Sequence, residues 1–200
     1  MNGQVRAYVL AGGESRRFPG DKARAVVEGQ PQILRLNRQL MEAGHQVHFV
    51  ADRTDRYADL GLECIVDQHP GSGPLGGLIT ALSHHQVSVG DGWILLVGCD
   101  QLVWRSAWSY CEDELDRMAN SVSSLVWKAE LFSPVPGYFH TSALASLRIL
   151  WDSGARALRS LQDHADLQPG SLRTQPMHPS CYSFNTPEQL HHFLQNQLYV

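Results

Sequence analysis

The sequence predicts an α/β chain: an open, mostly parallel sheet with helices on both faces. Three observations point there. Strand-sized apolar runs alternate with helix-patterned segments through roughly the first half of the chain. A glycine-rich turn, "LAGGESRRFPGDKA" (Leu10 to Ala23), follows directly on the first of those runs. Each apolar run ends in polar or glycine-rich residues, and parallel pairing gathers such ends on one edge, where ligands of open sheets sit.

The elements follow in order. "RAYVL" (Arg6 to Leu10) reads as a short buried strand. "PQILRLNRQLMEAG" reads as a helix, with Pro31 suited to its first turn and Gly44 to its end. Ile33, Leu36 and Leu40 fall at helical spacing and should face the sheet. "QVHFVA" (Gln46 to Ala51) and "LECIV" (Leu62 to Val66) are the second and third strands. The loop "DQHPGSGP" leads into a helix, "LGGLITALSHH", and "WILLVG" (Trp93 to Gly98) is the fourth strand, closing on Cys99 and Asp100. Beyond it the pattern is less regular. "SVSSLVW" (Ser121 to Trp127) looks like a strand, and "SPVPGYF" like a loop or edge strand, because proline cannot donate to a ladder. "HTSALASLRILWDSG" and "ARALRSLQDHA" look helical. "CYSFNTPEQLHHFLQNQL" looks like a strand feeding a last helix, with Thr186 as cap, Pro187 in the first turn and Gln189 as capping-box partner.

At 200 residues the chain is expected to form a single domain, residues 1–200, with no repeat, low-complexity tract or linker. A net charge of -4 excludes a broad electrostatic grip on nucleic acid, though not a local basic site for a small phosphorylated ligand. The N-terminus lacks the apolar core of a signal peptide, and no run approaches a membrane span. Cys64, Cys99, Cys111 and Cys181 are widely spaced, which favours a reduced, cytoplasmic chain over a disulfide or zinc framework.

Chemistry concentrates at the strand ends. Gly12 and Gly13 allow a tight turn whose backbone N–H groups could cradle an anion, and Arg16, Arg17 and Lys22 add positive charge. The spacing fits neither a P-loop nor a dinucleotide fingerprint, so a solvated βα loop stays an equal alternative on the loop alone. Asp100 is a hard-oxygen candidate for Mg²⁺ at the same edge, against the more ordinary alternatives of a helix cap or a surface aspartate. Asp67 and the Gly/Pro loop after it could wall a nucleobase, or form a plain turn. His84-His85 and His191-His192 are adjacent pairs, which one helix face does not present together. Cys99 reads as a packed thiol for want of a cationic activator. Trp93, Trp104, Trp108, Trp127 and Trp151 are core candidates, any of which could stack on a ring substrate. No hydrolase signature is present.

Four segments together carry a family resemblance. "LAGGESRRFPGDKA", "DQHPGSGPLGGLITAL", "VGCDQL" and "FNTPEQL" resemble, in order and spacing, the signatures of the molybdenum cofactor guanylyltransferases. The resemblance implies a Rossmann-like fold of the nucleotide-diphospho-sugar transferase type. Its nucleotide-binding half would cover about residues 1–103 and its acceptor-side half about 104–200. It implies transfer of GMP from GTP to the phosphate of molybdenum-bound molybdopterin, with pyrophosphate released and Mg²⁺ as cofactor. Leu10, Ala11, Gly12 and Gly13 would line the nucleotide site, Lys22 would hold phosphates, and Asp67 would help bind the guanosine. Asp100 would coordinate Mg²⁺ and contact the nucleotide, and Lys22 and Asp100 would carry the transfer. Cofactor-handover proteins or molybdoenzymes are the partners such an enzyme would meet.

The sequence departs from the family pattern in four places. Phe18-Pro19-Gly20 stands where Met-Gly is usual, and Leu102 replaces the proline after C-D-x. Asp52 lies near a customary asparagine, and "WKAELFSPVPGYFH" matches the acceptor side only loosely. Three readings therefore stay open. They are the guanylyltransferase, a cytidylyltransferase or sugar-phosphate nucleotidyltransferase of the same fold, and a non-catalytic nucleotide-binding regulatory protein.

Overall fold

The computed structural model describes residues 5–13, 17–103, 115, 124–128, 132–163 and 181–196. Arg16, Trp104, Trp108 and Cys111 lie outside these residues. The main sheet has six strands. In chain order these are β1 (Arg6–Leu10), β4 (Val47–Ala51), β5 (Cys64–Val66), β6 (Trp93–Gly98), β8 (Ser124–Lys128) and β9 (Phe132–His140). Their spatial order is β5-β4-β1-β6-β9-β8. β5, β4, β1 and β6 are parallel, and β9 and β8 close the sheet antiparallel. Between the main strands lie β2 (Val26–Val27) and β3 (Gln30–Pro31), which pair with each other. β7 (Gln101–Val103) and β10 (Cys181–Ser183) form a second small antiparallel ribbon.

The buried strands read as continuous apolar runs because helices cover both faces. Ala7 and Val9 of β1, with Leu95 and Val97 of β6, join one cluster with Ile33, Leu36 and Leu40 of α1 (Gln32–Glu42). Tyr8, Ile94 and Leu96 point the other way. They pack with Leu75, Leu78, Ile79 and Leu82 of α2 (Pro74–Ser88) and with Leu144 and Leu147 of α3 (Leu144–Asp152). α2 approaches the sheet closely at Gly77, where a Cβ would stand 2.7 Å from Leu10 Cδ2. A third cluster joins Val27, Leu102, Phe184, Leu190 and Phe193, and Phe18 packs against it. Leu190 and Phe193 belong to α4 (Pro187–Asn196).

Several elements differ from the sequence reading. α1 begins at Gln32, with Pro31 as its extended N-cap, and α2 begins one residue earlier, at Pro74. "SPVPGYF" lies in an interior strand, between β6 and β8. Its prolines are accommodated because the β8–β9 register jumps between Val126↔Gly137 and Trp127↔Ser133, leaving Pro134 and Pro136 outside the paired positions. "ARALRSLQDHA" forms a 3₁₀ segment, Leu158–Asp163, in place of an α-helix. No helix among the described residues is long and apolar enough to cross a membrane.

Candidate active site

The carboxyl ends of β1, β4, β5 and β6 open on a cleft of about 450 Å³. Leu10, Ala11, Gly12, Gly13, Lys22, Asp67 and Asp100 all line it, so seven candidates scattered over 91 positions share one cleft. The parallel topology is the cause, since each βα connection starts on the same edge. Gly12 follows β1 and runs against the end of β4, where a Cβ would meet Ala51 Cα at 3.1 Å and the Asp52 nitrogen at 3.2 Å. Gly73 and Pro74 also line the cleft, so the N-terminus of α2 faces it, an end of the helix that favours anions.

Lys22 sits on a single 3₁₀ turn, Lys22–Arg24, capped by Asp21, whose Oδ1 accepts from the Ala23 N–H at 3.0 Å. Its Nζ donates to Asp100 Oδ2 at 3.1 Å and to Asn185 Oδ1 at 2.8 Å. Arg17 Nη2 reaches the same Asn185 oxygen at 3.5 Å. Asn185 arrives through the small ribbon. β10 pairs with β7, Ser183 opposite Gln101, and the Phe184 N–H donates to the Asp100 carbonyl. Phe18 against Phe184, ring centroids 5.5 Å apart, pins the glycine-rich loop to the same ribbon. Leu102, fully buried, takes the place of the family's proline as a strand residue in this third cluster.

Asp21 itself is held from the β4–β5 connection. Tyr57 Oη lies 3.0 Å from Asp21 Oδ2 and 2.9 Å from the Ala11 carbonyl. Arg56 Nη2 reaches Asp21 Oδ2 at 3.3 Å, and Arg56 Nη1 donates to Asp52 at 2.6 Å. That hydrogen bond holds the Asp52 carboxyl below the ordinary carboxylate range. Asp52 is thus committed to Arg56 and is not among the cleft-lining residues.

Across the cleft, Asp67 Oδ1 accepts from the His69 N–H at 2.9 Å and from Thr80 Oγ1 at 3.0 Å. These bonds tie the Asp67–Gly73 loop to α2. Its outer side rests on Trp151, whose ring lies 4.3 Å from that of His69 and carries the Arg156 guanidinium at 3.9 Å. The Leu75 N–H donates to the Arg156 carbonyl. Trp151 is therefore a prop behind the wall, outside the set of lining residues.

Asp100 Oδ1 faces Gly98, where any Cβ would come within 2.7 Å of it. Burial, and then the Asp100 carboxylate, push the Cys99 thiol above its ordinary range, so this lining residue of the cleft stays protonated. His84 and His85, though adjacent, both flank Tyr8: the Tyr8 hydroxyl lies 3.0 Å from His84 Nδ1, and the His85 ring makes an edge contact with the Tyr8 ring. Neither belongs to the lining residues. His191 and His192 are exposed on α4.

The arrangement can accept a polyanion. It offers backbone N–H groups, a helix N-terminus and an ammonium beside one carboxylate suited to a hard cation, with no activated nucleophile among the lining residues. Sequence reasoning alone names Asn185 only inside its closing motif, and does not single out Asp21 or Tyr57. The capping geometry gives a partial signal for Asn185, since its N–H donates to Gln189 Oε1 at 2.7 Å and Thr186 Oγ1 accepts from the Gln189 N–H at 3.3 Å.

A profile of the MobA-like NTP transferase domain matches residues 7–168. The molybdenum cofactor guanylyltransferase of Shewanella piezotolerans is 31% identical over 193 residues, covering 92% of this chain and 89% of its own. A probable molybdenum cofactor guanylyltransferase of Opitutus terrae is 31% identical over 153 residues, covering 76% of this chain and 74% of its own. Among solved structures, molybdopterin-guanine dinucleotide biosynthesis protein A of Archaeoglobus fulgidus superposes with a TM-score of 0.68 at 19% identity, over 98% of this chain and 100% of that one. CMP:2-keto-3-deoxy-manno-octonic acid synthetase, in complex with CTP, superposes with a TM-score of 0.63 at 11% identity, over 98% of this chain and 99% of that one. At these identities the structural likeness speaks for the fold.

Proposed function

Because this chain belongs to the MobA-like NTP transferase family, alongside the molybdenum cofactor guanylyltransferases, we propose that it transfers GMP from GTP to the terminal phosphate of molybdenum-bound molybdopterin. The observation that carries the reading is the convergence of Lys22 and Asp100 on the glycine-lined cleft, with Asn185 bonded to the Lys22 ammonium. In the reaction an acceptor phosphate oxygen attacks the α-phosphorus. A new P–O bond forms as the bond to the β-phosphate oxygen breaks, and pyrophosphate leaves with the electron pair. The acceptor phosphate is already a nucleophile, so the protein needs to position two anions in line and offset the charge moving onto pyrophosphate.

Leu10 to Gly13 and the N-terminus of α2 would receive the nucleotide, Lys22 would hold its phosphates, and Asp67 with its loop would face the guanosine. The donor set fits Mg²⁺: Asp100 offers a hard carboxylate oxygen at the cleft, and Gly98 leaves that oxygen uncrowded. Asp100 would hold the ion together with phosphate oxygens, and the bound ion would supply neutralisation of the leaving pyrophosphate. Arg17 and Asn185, bonded to each other and through Asn185 to Lys22, would offer a positive charge and an N–H donor to a phosphate that reaches Lys22.

A panel of GTP, CTP, ATP, UTP and dTTP, each with and without Mg²⁺, tests the reading by thermal shift. A GTP-selective, Mg²⁺-enhanced rise, followed by pyrophosphate release on adding the pterin acceptor, is the expected result. A CTP-selective rise would move the assignment to a cytidylyltransferase. Binding without pyrophosphate release would favour a regulatory protein.

A further inference from the structure

Tyr57 is fully buried, yet its hydroxyl reaches both ends of the glycine-rich loop. The Ala11 carbonyl, at the loop's start, lies 2.9 Å away, and Asp21 Oδ2, at its end, lies 3.0 Å away. One proton serves both acceptors, and Arg56 completes the set by donating Nε–H to the phenol oxygen at 3.2 Å and Nη2–H to Asp21 at 3.3 Å. The Arg24 and Arg56 guanidinium carbons stand 5.3 and 5.7 Å from the ring centroid, so the phenol is also held by its face. Asp21 in turn caps the turn that carries Lys22.

The geometry points to Tyr57 as a positioning residue that clasps the two ends of the phosphate-binding loop and so fixes where Lys22 meets the triphosphate. This inference rests on the nucleotidyltransferase reading of the cleft. Tyr57 does not line the cleft itself, so it acts through Ala11 and Asp21. The clasp serves the phosphate half alone, since the Asp67–Gly73 wall is held separately by Thr80, His69 and Arg156.

Tyr57→Phe removes the hydroxyl and keeps the ring. Two measurements on the full chain test the clasp. Hydrogen exchange is expected to quicken at the amides of Gly12, Gly13, Lys22 and Ala23 while β1 and β6 keep their protection. Affinity for Mg·GTP is expected to fall about tenfold, the worth of one hydrogen bond to a charged group, while affinity for guanosine is unchanged. Unchanged loop exchange would overturn the clasp. So would faster exchange with undiminished GTP affinity, or parallel losses for GTP and guanosine, which indicate a general loss of structure. Asp21→Asn, which keeps the side-chain shape but turns one of the two accepting oxygens into an N–H donor, provides a second variant should Tyr57→Phe fold poorly. The same two measurements then decide for or against the clasp. If the unmodified chain binds no GTP, the functional reading fails by itself, and the exchange result still decides whether the hydroxyl holds the loop.

Discussion

Lys22 and Asp100 stand 78 positions apart in the chain and 3.1 Å apart in space, Nζ to Oδ2. Their side chains keep 14% and 23% of their surface, enough for a ligand to reach both. Under the proposed function, the pair would bring the cation that holds phosphates and the anion that holds the metal to one point. An incoming Mg²⁺–triphosphate carries the same two charges and can exchange with them.

Lys22→Ala is expected to weaken Mg·GTP binding by at least ~1.4 kcal/mol, or about tenfold, because the proposed function has this compact ammonium hold the phosphates. Isothermal titration checks this. Affinity equal to that of the unmodified chain would remove Lys22 from the site.

Asp100→Asn keeps an oxygen for Lys22 but loses the charge a divalent ion requires. Turnover should fall about 100-fold while the melting temperature moves by only a few degrees. Steady-state pyrophosphate release across a Mg²⁺ titration measures it, and full activity at saturating Mg²⁺ would count against a metal role.

Gly73→Ala should destabilise more than Gly71→Ala. Both glycines have positive φ, 93° and 72°, but a Cβ at Gly73 would lie 2.7 Å from the Arg156 carbonyl, whereas nothing lies within 4 Å of one at Gly71. Backbone strain alone predicts about 1 kcal/mol at Gly71, and strain plus a backbone clash predicts roughly 2–4 kcal/mol at Gly73. Urea unfolding of the two variants gives the difference directly.

Stability should fall as pH drops from about 6.5 toward 4. Burial, reinforced by His84, Arg6 and His85, lowers the His48 imidazole to about 4, and His84 and His85 are lowered as well. A histidine held neutral when folded takes up its proton more readily when unfolded. Its contribution is thus complete above the unfolded value and lost as pH falls through the folded one. The His48 ring stacks on Tyr8 at 5.1 Å and tilts against His84 at 5.3 Å, with Arg6 adding positive charge nearby. Replacing it in His48→Gln should flatten the melting-temperature profile in that window. A profile identical to that of the unmodified chain would place the sensitivity elsewhere.

What could be read from sequence follows from how local each signal is. β1, β4, β5 and β6 were legible because doubly covered strands are plain apolar runs, and α1 because Ile33, Leu36 and Leu40 mark one face. Parallel βα units then place Gly12, Asp67 and Asp100 on one edge without further information. β9 was hidden by Pro134 and Pro136, whose tolerance depends on a register jump in the partner strand. β10 was legible as the strand ahead of the last helix, but β7 and its pairing with β10 were hidden, because three-residue strands from distant parts of the chain have no periodicity to show. The contact of Tyr57 with Asp21 is a consequence of tertiary packing with no signature in its own segment, and the closing motif that holds Asn185 does not show that it meets Lys22.

The ribbon also imposes an order of events on biosynthesis. Lys22 and Asp100 leave the ribosome well before Asn185, which the chain supplies only after β10 has paired with β7. The four parallel strands and their two helices can assemble on the nascent chain. The cleft they form lacks its ribbon side until Cys181 to Asn185 have been made, so a product truncated before Cys181 would have the parallel-strand wall yet no Asn185 beside Lys22.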